Sequence, residues 1–271
     1  MRTENGKNQA ALPERLRIDY RMLASWPWLL VAVAWALALL ATWTNQRYLI
    51  NHDYLLEESG LPWLVAFLLF LICWQVMTAA MMLPSSLPQV FRLVGASRPA
   101  QHPHRVLAAF LAGYAAIWTA FAVAAFVGDT GIHQLVYQWP WLSRHTWVIG
   151  TATFVLAGIF QCTPFKQRAL SACRHPAGSF GRASCPDGGS GWRLGLRYGQ
   201  WCTASCWALM LVMFGIGVGS VTWMAALAGI ILVEKAVPGG RWLSPVVGLV
   251  LFLLAALWAS DSTWLLYLLG G

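Results

Sequence analysis

Charge is what this sequence of 271 residues lacks most: Asp, Glu, Lys and Arg together make up 10% of it, against about 25% in a soluble domain. With 58% hydrophobic residues and a mean hydropathy of +0.58, that deficit excludes an ordinary water-soluble globule. It points to an all-α, polytopic transmembrane bundle, with the lipid bilayer as its first partner. No charged side chain sits deep in an apolar run. Glu234 and Lys235 close one such run and read as an interfacial pair. Ion-coupled antiporters and proton-driven pumps usually need carboxylates inside the membrane, so the sequence argues against both. Also missing are a Gly-Lys-Ser/Thr phosphate loop, a His-Glu-x-x-His motif and a Gly-x-Ser-x-Gly elbow. Their absence removes ATP-driven transport and the common hydrolase patterns, and no enzymatic activity is expected.

The charges that are present define a topology. Seven charge-poor runs cover residues 26–44, 61–83, 106–127, 146–163, 201–214, 219–233 and 242–259. The fifth and sixth come from a single uncharged stretch, 201–233, too long for one crossing of ~20 residues. Gly215, Gly217 and Gly219, with Ser220, give it a place to turn back. With the N-terminus inside, all of the 18 Lys and Arg except Arg47 and Arg144 fall on the cytoplasmic side. That is the bias of the positive-inside rule. The net charge of +8 is therefore assigned to membrane orientation and not to nucleic acid. The 17 Trp gather at the ends of apolar runs, where aromatic belts form. The expectation is seven spans with a cytoplasmic N-terminus and an outer C-terminus, in a bacterial inner membrane. Residues 1–25, polar and without a cleavage site before Trp26, form a cytoplasmic arm, disordered over 1–12. Residues 26–261 form one helical domain with a Gly-rich cytoplasmic loop at 164–199, and 262–271 a short tail.

Two packing features stand out. In the third span Ala108, Ala112, Ala116, Ala120 and Ala124 recur every four residues, with Gly113 beside them. Small residues at that spacing let another helix approach closely in lipid, which makes this span a central helix and a face for a membrane-protein partner. Beyond it, Ile132, Leu135, Val136 and Trp139 share one helical face, as a short helix lying in the outer interface or as an ordinary loop.

Sulfur is the sharpest chemical signal. In the fifth span Cys202, Cys206, Met210 and Met213 share one helix face at 100° per residue. In the second, Cys73, Met77 and Met81 repeat every four residues, with Met82 adjacent and Pro84 ending the span. The two spans run in opposite directions and bring Met77, Met81, Cys202 and Cys206 to the cytoplasmic half, where Cys162 closes the fourth span. A reducing cytosol argues against structural disulfides. Such thiols are either small core residues or soft ligands, and thiolate with thioether selects Cu(I) over Mg²⁺ or Ca²⁺. The six His sit in loops and at interfaces and read as solvated. Gln75 and Gln161, the deepest polar groups, line a pathway or bond a neighbouring helix.

Four blocks then carry a resemblance. They are Met77-Thr-Ala-Ala-Met-Met-Leu-Pro-Ser85, Gly158-Ile-Phe-Gln-Cys-Thr-Pro-Phe-Lys166 with Cys173-Arg-His-Pro176, Gly195-Leu-Arg-Tyr-Gly-Gln-Trp-Cys-Thr-Ala-Ser-Cys-Trp-Ala-Leu-Met210, and Trp223-Met224 leading to Glu234-Lys235. Together they resemble a bacterial family of predicted metal-binding integral membrane proteins. The chain departs from that pattern at Ala169, Tyr198, Ser205 and the pair Gly219-Ser220, where related sequences carry Cys, His, Cys and Met-Asn. The resemblance implies a membrane protein with a metal site, and Cys173 joins the candidates through it. The sequence-based expectation is a protein handling a soft metal, copper(I), with Cys202, Cys206, Met77, Met81, Cys162, Cys173 and Met210 as ligands. The alternatives are a non-catalytic scaffold working through the third span and a permease for a small uncharged solute.

Overall fold

A computed structural model describes residues 14–44, 61–96, 102–174, 188–216, 220–237 and 242–260. Among the described residues every regular element is an α-helix. They are α1 (Glu14–Trp43), α2 (Trp63–Met81), α3 (Leu83–Ala96), α4 (Pro103–Gln138), α5 (Pro140–Arg144), α6 (Trp147–Gln161), α7 (Pro164–Arg174), α8 (Gly188–Ile216), α9 (Val221–Ala236) and α10 (Leu243–Ser260). Among the described residues each of the seven charge-poor runs overlaps a helix. Four helical stretches, Ser25–Trp43, α2, α4 and α10, are long and apolar enough to cross a membrane, and α6 with α7, bent by 65°, would make a fifth. Their outward faces carry bare aliphatic side chains: Leu40, Ile72 and Leu249 are 54%, 60% and 60% exposed. A surface of that kind suits hydrocarbon and not water.

The bundle is organised around α8, which packs along α4 and also meets α6, α7 and α9. Helix α10 lies against α6, and α1 covers α2 and α3, where the Trp35 indole donates to the Ala80 carbonyl at 3.1 Å. The α4–α8 contact is backbone against backbone. A Cβ at Gly113 would sit 2.5 Å from the Trp192 carbonyl oxygen and one at Gly191 2.6 Å from that of Val106, while at Gly195 the Phe110 carbonyl lies closer still. Only glycine fits at that separation.

Three sequence expectations change here. The stretch expected to be loop as far as residue 199 is helical from Gly188 onward, because glycines spaced four apart serve helix contact as readily as turns. The Ala stripe of α4 is not its packing face. Ala108, Ala112, Ala120 and Ala124 are exposed, and the buried face is Val106, Leu107, Phe110, Gly113, Tyr114, Trp118, Ala122 and Phe126. Aromatic side chains fill the core, and Gly113 supplies the close approach that alanine cannot. Finally, residues 132–138 continue α4, whose 36 residues run unbroken to Gln138. The cytoplasmic arm to residue 12, Gly217, Gly219 and Cys185 lie outside the described residues.

Prolines set the breaks that shape the interior. Pro84 cannot continue α2, since its ring blocks the preceding turn. The helix ends at Met81 and α3 starts at Leu83, and the Ser85 and Ser86 hydroxyls donate to the Met82 carbonyl at 2.8 and 2.9 Å. Pro164 opens α7 in the same way. The Thr163 hydroxyl accepts the Lys166 backbone N–H at 3.2 Å, a helix N-cap. That turn carries the Lys166 side chain inward.

Candidate metal centre

The stripe on α8 faces the interior: Cys202, Cys206, Met210 and Met213 are all 0–1% exposed. Residues four apart on a helix stand one above the other, so Cys202 and Cys206 share this inward face one turn apart. The Cys206 thiol donates to the Cys202 carbonyl at 2.9 Å. The break between α2 and α3 turns Met82, fully buried, onto this pair, and its Sδ lies 3.6 Å from Cys206 Sγ. Two sulfurs each ~2.3 Å from one ion stand about 3.8 Å apart at the tetrahedral angle. Cys206 and Met82 thus already have close to the sulfur spacing that one soft ion requires, with Cys202 one turn away on the same face.

Cys202 has two further partners. Lys235 on α9 places its ammonium 3.0 Å from Cys202 Sγ, and the Tyr114 hydroxyl on α4 lies 3.1 Å from the same sulfur. The Ser86 hydroxyl oxygen lies 3.4 Å from that of Tyr114. Lys235, Tyr114 and Ser86 are all buried. The centre is therefore closed, built from the α2–α3 junction, α4, α8 and α9. Cys173 on α7 is buried beside it, its sulfur 3.8 Å from the Ser205 hydroxyl.

The residues expected at the site divide. Cys202 and Cys206 come together here. Met77, Met81 and Met210 are core residues, 3%, 0% and 0% exposed, and the methionine that touches a thiol is Met82. Cys173 approaches the centre beside Ser205. Cys162 is exposed at the bend between α6 and α7, and packs toward Gly248 of α10. Five cysteines, Cys73, Cys162, Cys173, Cys202 and Cys206, are free thiols. Among the described residues no three Cys, His, Asp or Glu side chains gather at one point, so a site here needs the thioether.

Glu234 and Lys235 are not an interfacial pair. Glu234 is 1% exposed and points away from Lys235, to Lys166, whose ammonium lies 2.7 Å from its Oε2. Ser244 and Gln161 donate to the other carboxylate oxygen at 3.0 and 3.3 Å, and the Arg174 guanidinium donates to the Glu234 carbonyl. Gln75 bonds across to α4, donating to Thr119 Oγ1 at 2.7 Å and to the Ala115 carbonyl at 3.2 Å. Sequence reasoning missed Lys235, Tyr114 and Lys166 as parts of the interior. The one local signal was the pair of helix-restarting prolines, Pro84 and Pro164.

Residues 71–258 match a family model described as PpoB2, copper chaperone, a span that includes every residue of the sulfur centre. No curated protein and no solved structure matches the chain.

Proposed function

The chain belongs to the PpoB2 family of copper chaperones, and from that premise we propose that it holds Cu(I) as cargo inside a membrane, at Cys202, Cys206 and Met82. The observation that carries this reading is the 3.6 Å approach of Cys206 Sγ to Met82 Sδ with Cys202 one helical turn away, all three buried. Thiolate and thioether sulfurs are the donors that Cu(I) prefers, and a low coordination number suits it. Met77, Met81 and Met210 line the core beside the ion, Cys173 stands next to it through Ser205, and Cys162 lies apart. The protein binds and passes on the ion without making or breaking covalent bonds.

The seven-span topology completes the proposal. With the N-terminus in the cytoplasm, the distribution of Lys and Arg satisfies the positive-inside rule. The centre then lies in the inner half of a bacterial plasma membrane, on the side from which reduced copper is available. A scaffold role stays as the second reading. It is favoured by the exposed Ala stripe of α4, at Ala108, Ala112, Ala120 and Ala124, which is free to seat another helix.

Titration of the detergent-purified protein with Cu(I) against a chromophoric chelator tests the proposal. One tightly held ion per chain is expected in the wild type and none in the Cys202→Ser/Cys206→Ser double variant. Negligible copper in both would overturn it and leave the scaffold reading.

A further inference from the structure

The sulfur centre contains a fixed positive charge that no ligand role explains. Lys235 sits buried with its ammonium 3.0 Å from Cys202 Sγ. A buried charge is costly unless compensated, and the nearby carboxylate cannot compensate it. Glu234 is the one buried carboxylate among the described residues, and it is tied to Lys166 at 2.7 Å and to Ser244 and Gln161. Arg174, half-buried, adds positive charge on the same flank.

Charge balance with an ion in place follows directly. Two thiolates and a monovalent ion carry one net negative charge, and the ammonium of Lys235 cancels it. Two thiolates and a divalent ion are already neutral, and Lys235 then stands as an uncompensated buried cation beside the metal. Met82, the third donor, is uncharged and alters neither sum. We infer that Lys235 is a specificity-determining residue, which tunes the Cys202/Cys206/Met82 centre to a monovalent soft ion and against divalent thiophiles such as Zn²⁺ and Cd²⁺. The ligand chemistry alone would not make that choice, since paired thiolates also hold zinc well. This inference rests on the copper reading above and adds to it the origin of its selectivity.

The test is competition between Ag(I), a redox-stable monovalent probe, and Cd(II) on the purified full-length protein. The wild type, Lys235→Met, Lys235→Gln and Lys235→Arg are compared. The wild type is expected to prefer Ag(I). Both neutral variants should lower the Ag(I)-to-Cd(II) affinity ratio by about a hundredfold, the scale of removing one unit charge a few ångströms from the ion. Lys235→Arg, which keeps the charge, should retain the preference. A ratio unchanged in the neutral variants would overturn the inference, as would a wild type that takes Cd(II) as tightly as Ag(I), a result that needs no variant to fold. Failure of the copper reading is a separate outcome: Ag(I) binding that is the same in wild type and in Cys202→Ser/Cys206→Ser.

Discussion

Glu234 and Lys235 are neighbours on α9, yet they serve two regions of opposite character. On one side Glu234 meets Lys166, Ser244 and Gln161, every contact between hard, hydrogen-bonding groups. On the other Lys235 meets a sulfur, and beyond it lie a second thiol and a thioether. The first region joins α6, α7, α9 and α10 by matched opposite charges, so little capacity for a ligand is left. The second places soft donors around a cation that no carboxylate among the described residues matches. Buried polarity in this molecule thus has two uses, and chemical softness separates them: the hard cluster locks helices, and the soft one is left with donors to offer.

The largest expected effect comes from breaking the lock. Lys166→Met leaves the Glu234 carboxylate buried without its cation, which should cost about 3–5 kcal/mol. The double variant Lys166→Met/Glu234→Leu, with neither charge of the pair left to bury, should recover most of that loss. Thermal unfolding in detergent reads both, and Cu(I) stoichiometry measured below the transition should stay at the wild-type value. If instead Lys166→Met abolished copper binding in a folded protein, the two regions would be one site and the contrast would fail. Next in size is Gly195→Ala. Its new methyl group would press on the Phe110 carbonyl, at a cost of about 1–3 kcal/mol for an overpacked contact. Because α8 carries both thiols and has Gly195 on its α4 face, Cu(I) affinity should fall with stability in this variant, unlike in Lys166→Met.

How far the sequence reveals these regions depends on whether the deciding interaction is local. The face shared by Cys202, Cys206, Met210 and Met213 follows from helical periodicity alone, and the four are indeed buried together. The helices themselves were legible in the long uncharged runs. Met82 was harder to choose over Met81. Pro84 signals that a helix stops, but periodicity gives no rotation for the residue after the stop. Lys235 and Glu234 misled because a charge at the end of an apolar run looks interfacial until its partners are known. Those partners, Cys202 and Lys166, lie 33 and 68 residues away along the chain. The glycines of α8 misled in another way, since Gly191, Gly195 and Gly199 punctuate a sequence as a loop does while fitting α4 as a stripe. The match to copper chaperones agrees with the sulfur pattern that the sequence displayed and is silent on the cation beside it.

Two conservative substitutions sharpen the soft side. Met82→Leu keeps the volume, so stability should change by less than ~1.5 kcal/mol. Removing the thioether should weaken Cu(I) by about tenfold, or ~1.4 kcal/mol. Met81→Leu, one residue away and equally buried, should leave the affinity where it was. Equal losses in the two would mean that the break at Met82 does not select the ligand.

The smallest effect expected is that of Tyr114→Phe. The ring is held by stacking on Tyr198 at a centroid distance of 6.0 Å, so phenylalanine should occupy the same place and only the hydroxyl is removed. Ser86 keeps its bond to the Met82 carbonyl, and Cys202 keeps Lys235. What is lost is the hydrogen bond to the Cys202 sulfur and the longer contact to Ser86, together about 1 kcal/mol of stability, read as a lower unfolding temperature for the metal-free protein. The Ag(I)-to-Cd(II) ratio should not move, because a neutral hydroxyl enters neither charge sum. If Tyr114→Phe shifted that ratio as far as Lys235→Met does, the selectivity would come from hydrogen bonding to Cys202 and not from the buried charge, and the distinction between a hard lock and a charge-tuned soft site would have to be redrawn around the thiol.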